Sequence, residues 1–92
     1  MRDDEFEWDD RKAARNLRNH GVTFEVARSA FNDPDSINRE DPDPDEERFS
    51  RLCRLDHRVF VVVWTLRGRR IRIISARPAN KHEQEIYFRQ EA

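Results

Sequence analysis

The chain has 92 residues, enough for one small domain and no second core. Charged residues make up 40% and hydrophobic residues 36%, yet the net charge is only −1, so the composition excludes a polyelectrolyte-like disordered chain and fits a folded, soluble domain. The longest apolar-dominated run, Val59 to Leu66, is far shorter than the roughly 20 residues of a membrane helix.

Phe6-Glu7-Trp8 alternates apolar and polar, which predicts a short first strand. Asp9 or Asp10 can cap the helix that follows, whose inner face would carry Ala13, Leu17 and His20. Gly21 stops that helix, and Thr23 caps a second with Val26, Ala27, Ala30 and Phe31 facing inward. Asn32-Asp33-Pro34-Asp35 ends it. A short extra strand is possible near Ser36-Ile37-Asn38, and the acidic, proline-interrupted stretch 39–47 reads as an exposed loop. Arg48 to Leu55 alternates in period two, and Asp56-His57 forms a turn. Val59 to Thr65 is apolar and rich in β-branched residues, as a central strand covered on both faces requires. Arg67-Gly68-Arg69 is a hairpin turn and Ile71 to Ala76 the next strand, which Pro78 ends. Asn80 and Glu83 have capping-box spacing, so residues 80–90 form a final helix with Ile86 and Tyr87 docked on the sheet. The expected fold is a single α+β domain over residues 1–92: an antiparallel sheet, two N-terminal helices packed on it and a C-terminal helix.

The near-neutral total hides segregation. Residues 1–10 carry six acids against Arg2, and residues 33–47 carry eight against Arg39. Residues 48–77 carry nine arginines against Asp56. Sixteen of the 18 bases are arginine, whose planar fork binds phosphate or carboxylate bidentately and stacks on bases. This pattern suits either a salt-bridged sheet surface or an anionic partner, RNA or an acidic protein segment. The acidic N-terminus has no apolar signal region, and the lone Cys53 can make no internal disulfide; both point to the reducing cytoplasm and away from a membrane.

Few residues can carry chemistry. His20, His57 and His82 show no paired spacing and one cysteine cannot build a zinc cage, so no metal or other cofactor is expected. Cys53 reads as a buried structural thiol, with a Cys–His nucleophile as the alternative. His20 is either a core-edge histidine bonded to a carbonyl or a substrate contact and proton shuttle. Simple alternation puts Ile71, Ile73, Ser75 and Arg77 on one face, where a charge needs a partner. Arg77 is then an ion pair with Glu47 or Glu83, or a phosphate-binding residue in a cleft. Arg48 and Arg67 converge on it only if the sheet curls.

Several blocks carry a family resemblance. The stretch F-E-W-D-D-R-K-A-A-R-N-L-R-N-H-G-V-T-F-E-V-A-R-S-A-F-N-D-P at 6–34 resembles the opening of the BrnT family of bacterial toxins. So do E-E-R-F at 46–49, R-V-F-V-V-V-W-T at 58–65, R-I-R-I-I-S-A-R-P-A at 70–79, and the final helix with Glu83 and Tyr87. The resemblance implies a RelE-like fold and a type II toxin–antitoxin system, in which the toxin cleaves RNA and arrests translation and growth. It implies a BrnA-like antitoxin with a ribbon-helix-helix part, and contact with operator DNA only through the toxin–antitoxin complex. It places functional arginines at Arg67 and Arg77, with His20 and Arg48 as site neighbours. Arg70, Arg72 and Trp64 would bind RNA, and Trp64 or Phe49 could stack a base. Such chemistry is metal-independent: the RNA's own 2′-hydroxyl attacks, and the protein supplies cations and a proton carrier. Two departures stand out. Cys53 replaces a usual glycine, and Trp64 a common tyrosine, whose hydroxyl tryptophan lacks. The competing reading is a toxin-like binding module without activity, which holds the antitoxin and co-represses the operon.

Overall fold

The computed structural model describes residues 1–90. The elements follow the order β1 (Phe6–Glu7), α1 (Asp10–His20), α2 (Phe24–Ala30), β2 (Ile37–Asp41), β3 (Arg48–Leu55), β4 (Arg58–Arg67), β5 (Arg70–Pro78) and α3 (Lys81–Arg89). The helices start where the capping residues stand. The Asp9 carboxylate accepts from the Arg11 and Lys12 amides at 2.8 and 3.1 Å, and the Thr23 hydroxyl accepts from Val26 N at 3.1 Å. Gly21 closes α1 with φ +69°, a conformation that costs glycine nothing. Asn80 and Glu83 form the expected capping box.

The five strands make one sheet in the order β1-β5-β4-β3-β2. β4 is central and antiparallel to both neighbours. Its alternating residues feed two cores. Phe60 and Val62 join Trp8, Phe24, Ala27, Ala30, Cys53 and Ala76 on a first face covered by α2. Val59 and Val61 join Leu52, Ala79 and Tyr87 on a second face, under α3.

Four expectations need correction. β1 pairs parallel to β5, because the long path between them imposes no hairpin. Residues 37–41 form an edge strand, β2, so the acidic loop is shorter than the stretch 39–47 suggests. On α1, Leu17 is 48% exposed, His20 is also exposed, and the buried residue is Asn16. The reason is polar. β1 covers β5 only at Ile71 and Arg72, and Asn16 takes over the bare edge beyond. Its amide donates to Ala76 O (2.7 Å) and Val22 O (2.9 Å) and accepts from Ala76 N (3.1 Å). α1 therefore hangs on the sheet edge by a side chain that imitates a strand residue.

The fourth correction concerns Arg77. The β4–β5 register pairs Val63 with Ser75 but Trp64 with Ile73, so Ile74 is an extra residue. This bulge inverts the alternation. Ile73 and Ala76 enter the first core, while Arg77 pairs with Val61 on the second face. There the Arg77 fork meets Glu83 of α3, with Nη1 at 2.7 Å from Oε1 and Nη2 at 2.8 Å from Oε2. Arg77 is thus the structural ion pair, and its partner is Glu83.

Two predictions follow from this packing. Val62 is fully buried, so Val62→Asp buries an unpaired charge and abolishes the cooperative melting transition, against a total stability of about 5–15 kcal/mol. The Arg77 guanidinium holds the Glu83 carboxyl below the ordinary glutamate range, so the folded state binds that proton less tightly than the unfolded chain. The pair's stabilisation is fully present above about pH 4.5 and drains away as pH falls through the lowered value. Melting temperatures followed from pH 6 to 3 should fall less steeply in Glu83→Gln than in the parent.

Candidate functional site

Strand alternation together with the bulge brings Arg39, Arg48, Arg72 and Arg77 onto the second face, in line with Ser50, Val63, Thr65 and Ser75. α3 packs over the row Ile37–Leu52–Val61 and over Val59 on the side away from Ser50. The next row, Ser50–Val63–Ser75, is half-buried and lies open beside it.

α1 borders this open face. Lys12, Arg15, Asn19 and His20 recur at helical spacing and line a cavity of about 330 Å³. Arg48, Ile74 and Ser75 close it from the sheet. Three cations and an imidazole thus share one space. Arg48 reaches it while anchored from behind: its Nε donates to Glu46 Oε1 at 2.7 Å and lies 3.4 Å from Asp43. Its terminal nitrogens make no hydrogen bond among the described residues. The Glu46 hydrogen bond raises the Arg48 pKa further, so the charge is permanent. The carboxylates are placed by their own loop, where Asp43 Oδ1 accepts from the Asp45 and Glu46 amides. Those amide hydrogen bonds help to lower the Asp43 pKa.

The structure gathers two of the expected site residues, His20 and Arg48, and separates the others. Arg67 and Arg77 lie at opposite ends of the β4–β5 ladder. Their positions differ by six residues of β4, about 20 Å at ~3.3 Å per residue, so no one phosphate meets both. Arg77 has both terminal nitrogens engaged by Glu83. Arg72 donates to Glu7 at 2.8 Å, and Arg70 donates to Asp3 O at 2.7 Å. Trp64 lies on the first face, between Phe49 at 4.8 Å and Phe31 at 5.7 Å. Trp64 and Phe49 thus build an aromatic cluster on the face opposite the arginines. Cys53 is fully buried and burial pushes its thiol up to about 12, which leaves a structural role. No group of three or more His, Cys, Asp or Glu side chains converges among the described residues.

Lys12, Arg15, Asn19 and Ser75 were not among the residues expected from sequence. The first three carried a readable signal, since with His20 they mark one helical stripe. Ser75 carried none, because the bulge decides its face.

A comparison with curated proteins found no match. A family model does match, over residues 8–83, a span that includes α1, the whole sheet from β2 to β5 and the first turn of α3. With that match covering most of its length, the chain belongs to the BrnT family, the ribonuclease toxins of type II toxin–antitoxin systems.

Proposed function

We propose that this chain is a metal-independent endoribonuclease with a RelE-like fold, which acts in the cytoplasm and arrests translation, and that it cleaves RNA in the cavity between α1 and the second sheet face. One observation carries this reading: His20, Lys12, Arg15 and Arg48 line the same cavity. The family supplies the activity class, a ribonuclease, and with it an RNA substrate and an antitoxin partner.

The chemistry fits those side chains. The 2′-hydroxyl of the RNA attacks the adjacent phosphorus, the P–O5′ bond breaks, and a 2′,3′-cyclic phosphate and a 5′-hydroxyl result. His20 takes the hydroxyl proton, and the leaving oxygen gains one from the imidazolium or from water. The terminal nitrogens of Arg48 stabilise the charge that builds on the phosphoryl oxygens, with Lys12 and Arg15 behind it. Asn16 fixes α1 against Ala76 and so sets the distance between His20 and the sheet.

A BrnA-like ribbon-helix-helix antitoxin would neutralise this site by laying an acidic and apolar segment over the arginine face. Operator DNA would be contacted only by the assembled pair. The second reading, a binding module without activity, draws on the internal ion pairs of Arg72 and Arg77 and on tryptophan at position 64. Induction of the chain alone separates the two, since a binding module leaves growth unaffected.

The site assignment makes a measurable claim. Purified His20→Ala should melt like the parent, because that side chain is exposed, and Arg48→Ala should lose only about 1 kcal/mol with its partly exposed ion pairs. Each should cleave a short RNA about a hundred- to thousandfold more slowly. Arg77→Ala should instead lose stability and keep its activity per folded molecule. Full activity in both His20→Ala and Arg48→Ala removes the site from this cavity.

A further inference from the structure

The open row of the second face leads away from the α1 cavity, and its far end carries an arginine with no assigned role. Register places Arg39 opposite Ser50, Ser50 opposite Val63, and Val63 opposite Ser75. Ser75 lines the cavity. The line from Ser75 to Arg39 crosses three strand spacings, about 14 Å at ~4.8 Å each. Its floor of Ser50 and Val63 has short side chains, each half-buried. One wall is α3, whose Glu83 is already bound by Arg77. The other is Arg48 with its carboxylate anchors. Arg39 is exposed and makes no hydrogen bond or ion pair among the described residues. It stands two residues from Ile37 on β2, so it shares the face on which Ile37 packs with Leu52 and Tyr87.

We propose that this row is the path of a single RNA strand, which runs across the β-strands from the α1 cavity to Arg39, and that Arg39 holds a phosphate remote from the scissile one. The inference rests on the reading of the α1 cavity as the cleavage site. A single row of short side chains between the α3-covered row and Arg48 suits one strand. Arg39 contacts the backbone through a charge alone, so it adds affinity without base preference. Such a contact strengthens with substrate length and is absent for a substrate that ends inside the cavity.

The test uses 2′-O-methyl oligonucleotides, which cannot supply the attacking hydroxyl, and fluorescence anisotropy at several salt concentrations. Arg69→Ala, in the β4–β5 turn, controls for the loss of one positive charge anywhere on the molecule. Arg39→Ala should weaken an oligomer of about six nucleotides roughly fivefold at about 0.1 M salt, and its salt slope should fall by about 0.7, the share of one single-strand phosphate contact. Arg39→Lys should recover most of the loss, and the dinucleotide should show no more change than with Arg69→Ala. If Arg39→Ala behaves as Arg69→Ala does on the long oligomer, or weakens the dinucleotide by the same factor, the path is wrong. If it weakens the antitoxin complex and leaves RNA binding unchanged, the row belongs to the protein partner and the proposal is overturned. Cleavage by Arg48→Ala separates the two levels. An inactive Arg48→Ala beside an unaffected Arg39→Ala removes the path alone, while full activity in both His20→Ala and Arg48→Ala removes the cleavage site itself.

Discussion

The β4–β5 ladder has one residue too many on the β5 side, and the two faces of the sheet depend on it. Side chains alternate with period two along a strand, so one unpaired residue exchanges the faces of everything beyond it. Before Ile74, the isoleucines of β5 face the helix-covered core and Arg72 faces outward. Beyond it, regular alternation would turn Ser75 and Arg77 into that core and Ala76 out of it. The bulge restores the sorting: Ala76 is fully buried and Arg77 meets Glu83. It also leaves Ile74 and Ser75 at the edge of the α1 cavity. A charge driven into the first core would cost several kcal/mol, so the extra residue is what makes this arginine compatible with the fold.

Folding brings the segregated charges of the chain together. The acidic N-terminal segment pairs with arginines distant in sequence: Glu7 with Arg72, and Asp3 with Arg28. Asp3 also accepts from Arg70 through its carbonyl. The Asp3–Arg28 pair is partly exposed and adds at most about 1 kcal/mol, while the Glu7–Arg72 pair is largely buried. Their larger effect is on availability. Arginines tied to carboxylates are lost to a phosphate, and among the described residues Arg48 at the cavity and Arg39 at the far end of the row keep open donors on the second face. The electrostatic character of the second face is therefore set by which arginines remain, and not by the total of nine between residues 48 and 77.

α1 contributes little to the apolar core and much to the cavity beside β5. Its only buried residue is Asn16, whose three hydrogen bonds fasten the helix to the bare edge of β5. A helix held by apolar packing can slide or rotate slightly at low cost, while a side chain bonded to both N–H and C=O of one residue allows one register. Lys12, Arg15, Asn19 and His20 inherit that register. The proposed phosphoryl chemistry depends on placing charge and proton carriers closely, and such an anchor serves that placement.

The amino-acid sequence by itself determined the features that depend on near neighbours. The Asp9, Thr23 and Asn80 caps, the Gly21 stop and the turn at Gly68-Arg69 stand where local chemistry puts them, because each is satisfied within a few residues, and the apolar run of β4 marks a strand covered on both faces by its composition. The family resemblance was equally legible, since the blocks that carry it are contiguous. Tertiary structure alone decided the rest. The bulge at Ile74 is set by what β4 offers across the ladder, β2 forms because β3 supplies its partners, and β1 runs parallel because no turn constrains it. Asn16 looked like an unremarkable helix residue until Ala76, sixty positions away, came within reach. The same holds for the site. Its residues come from α1, β3 and β5, and only the closure of the sheet edge over that long separation puts His20 and Arg48 around one cavity.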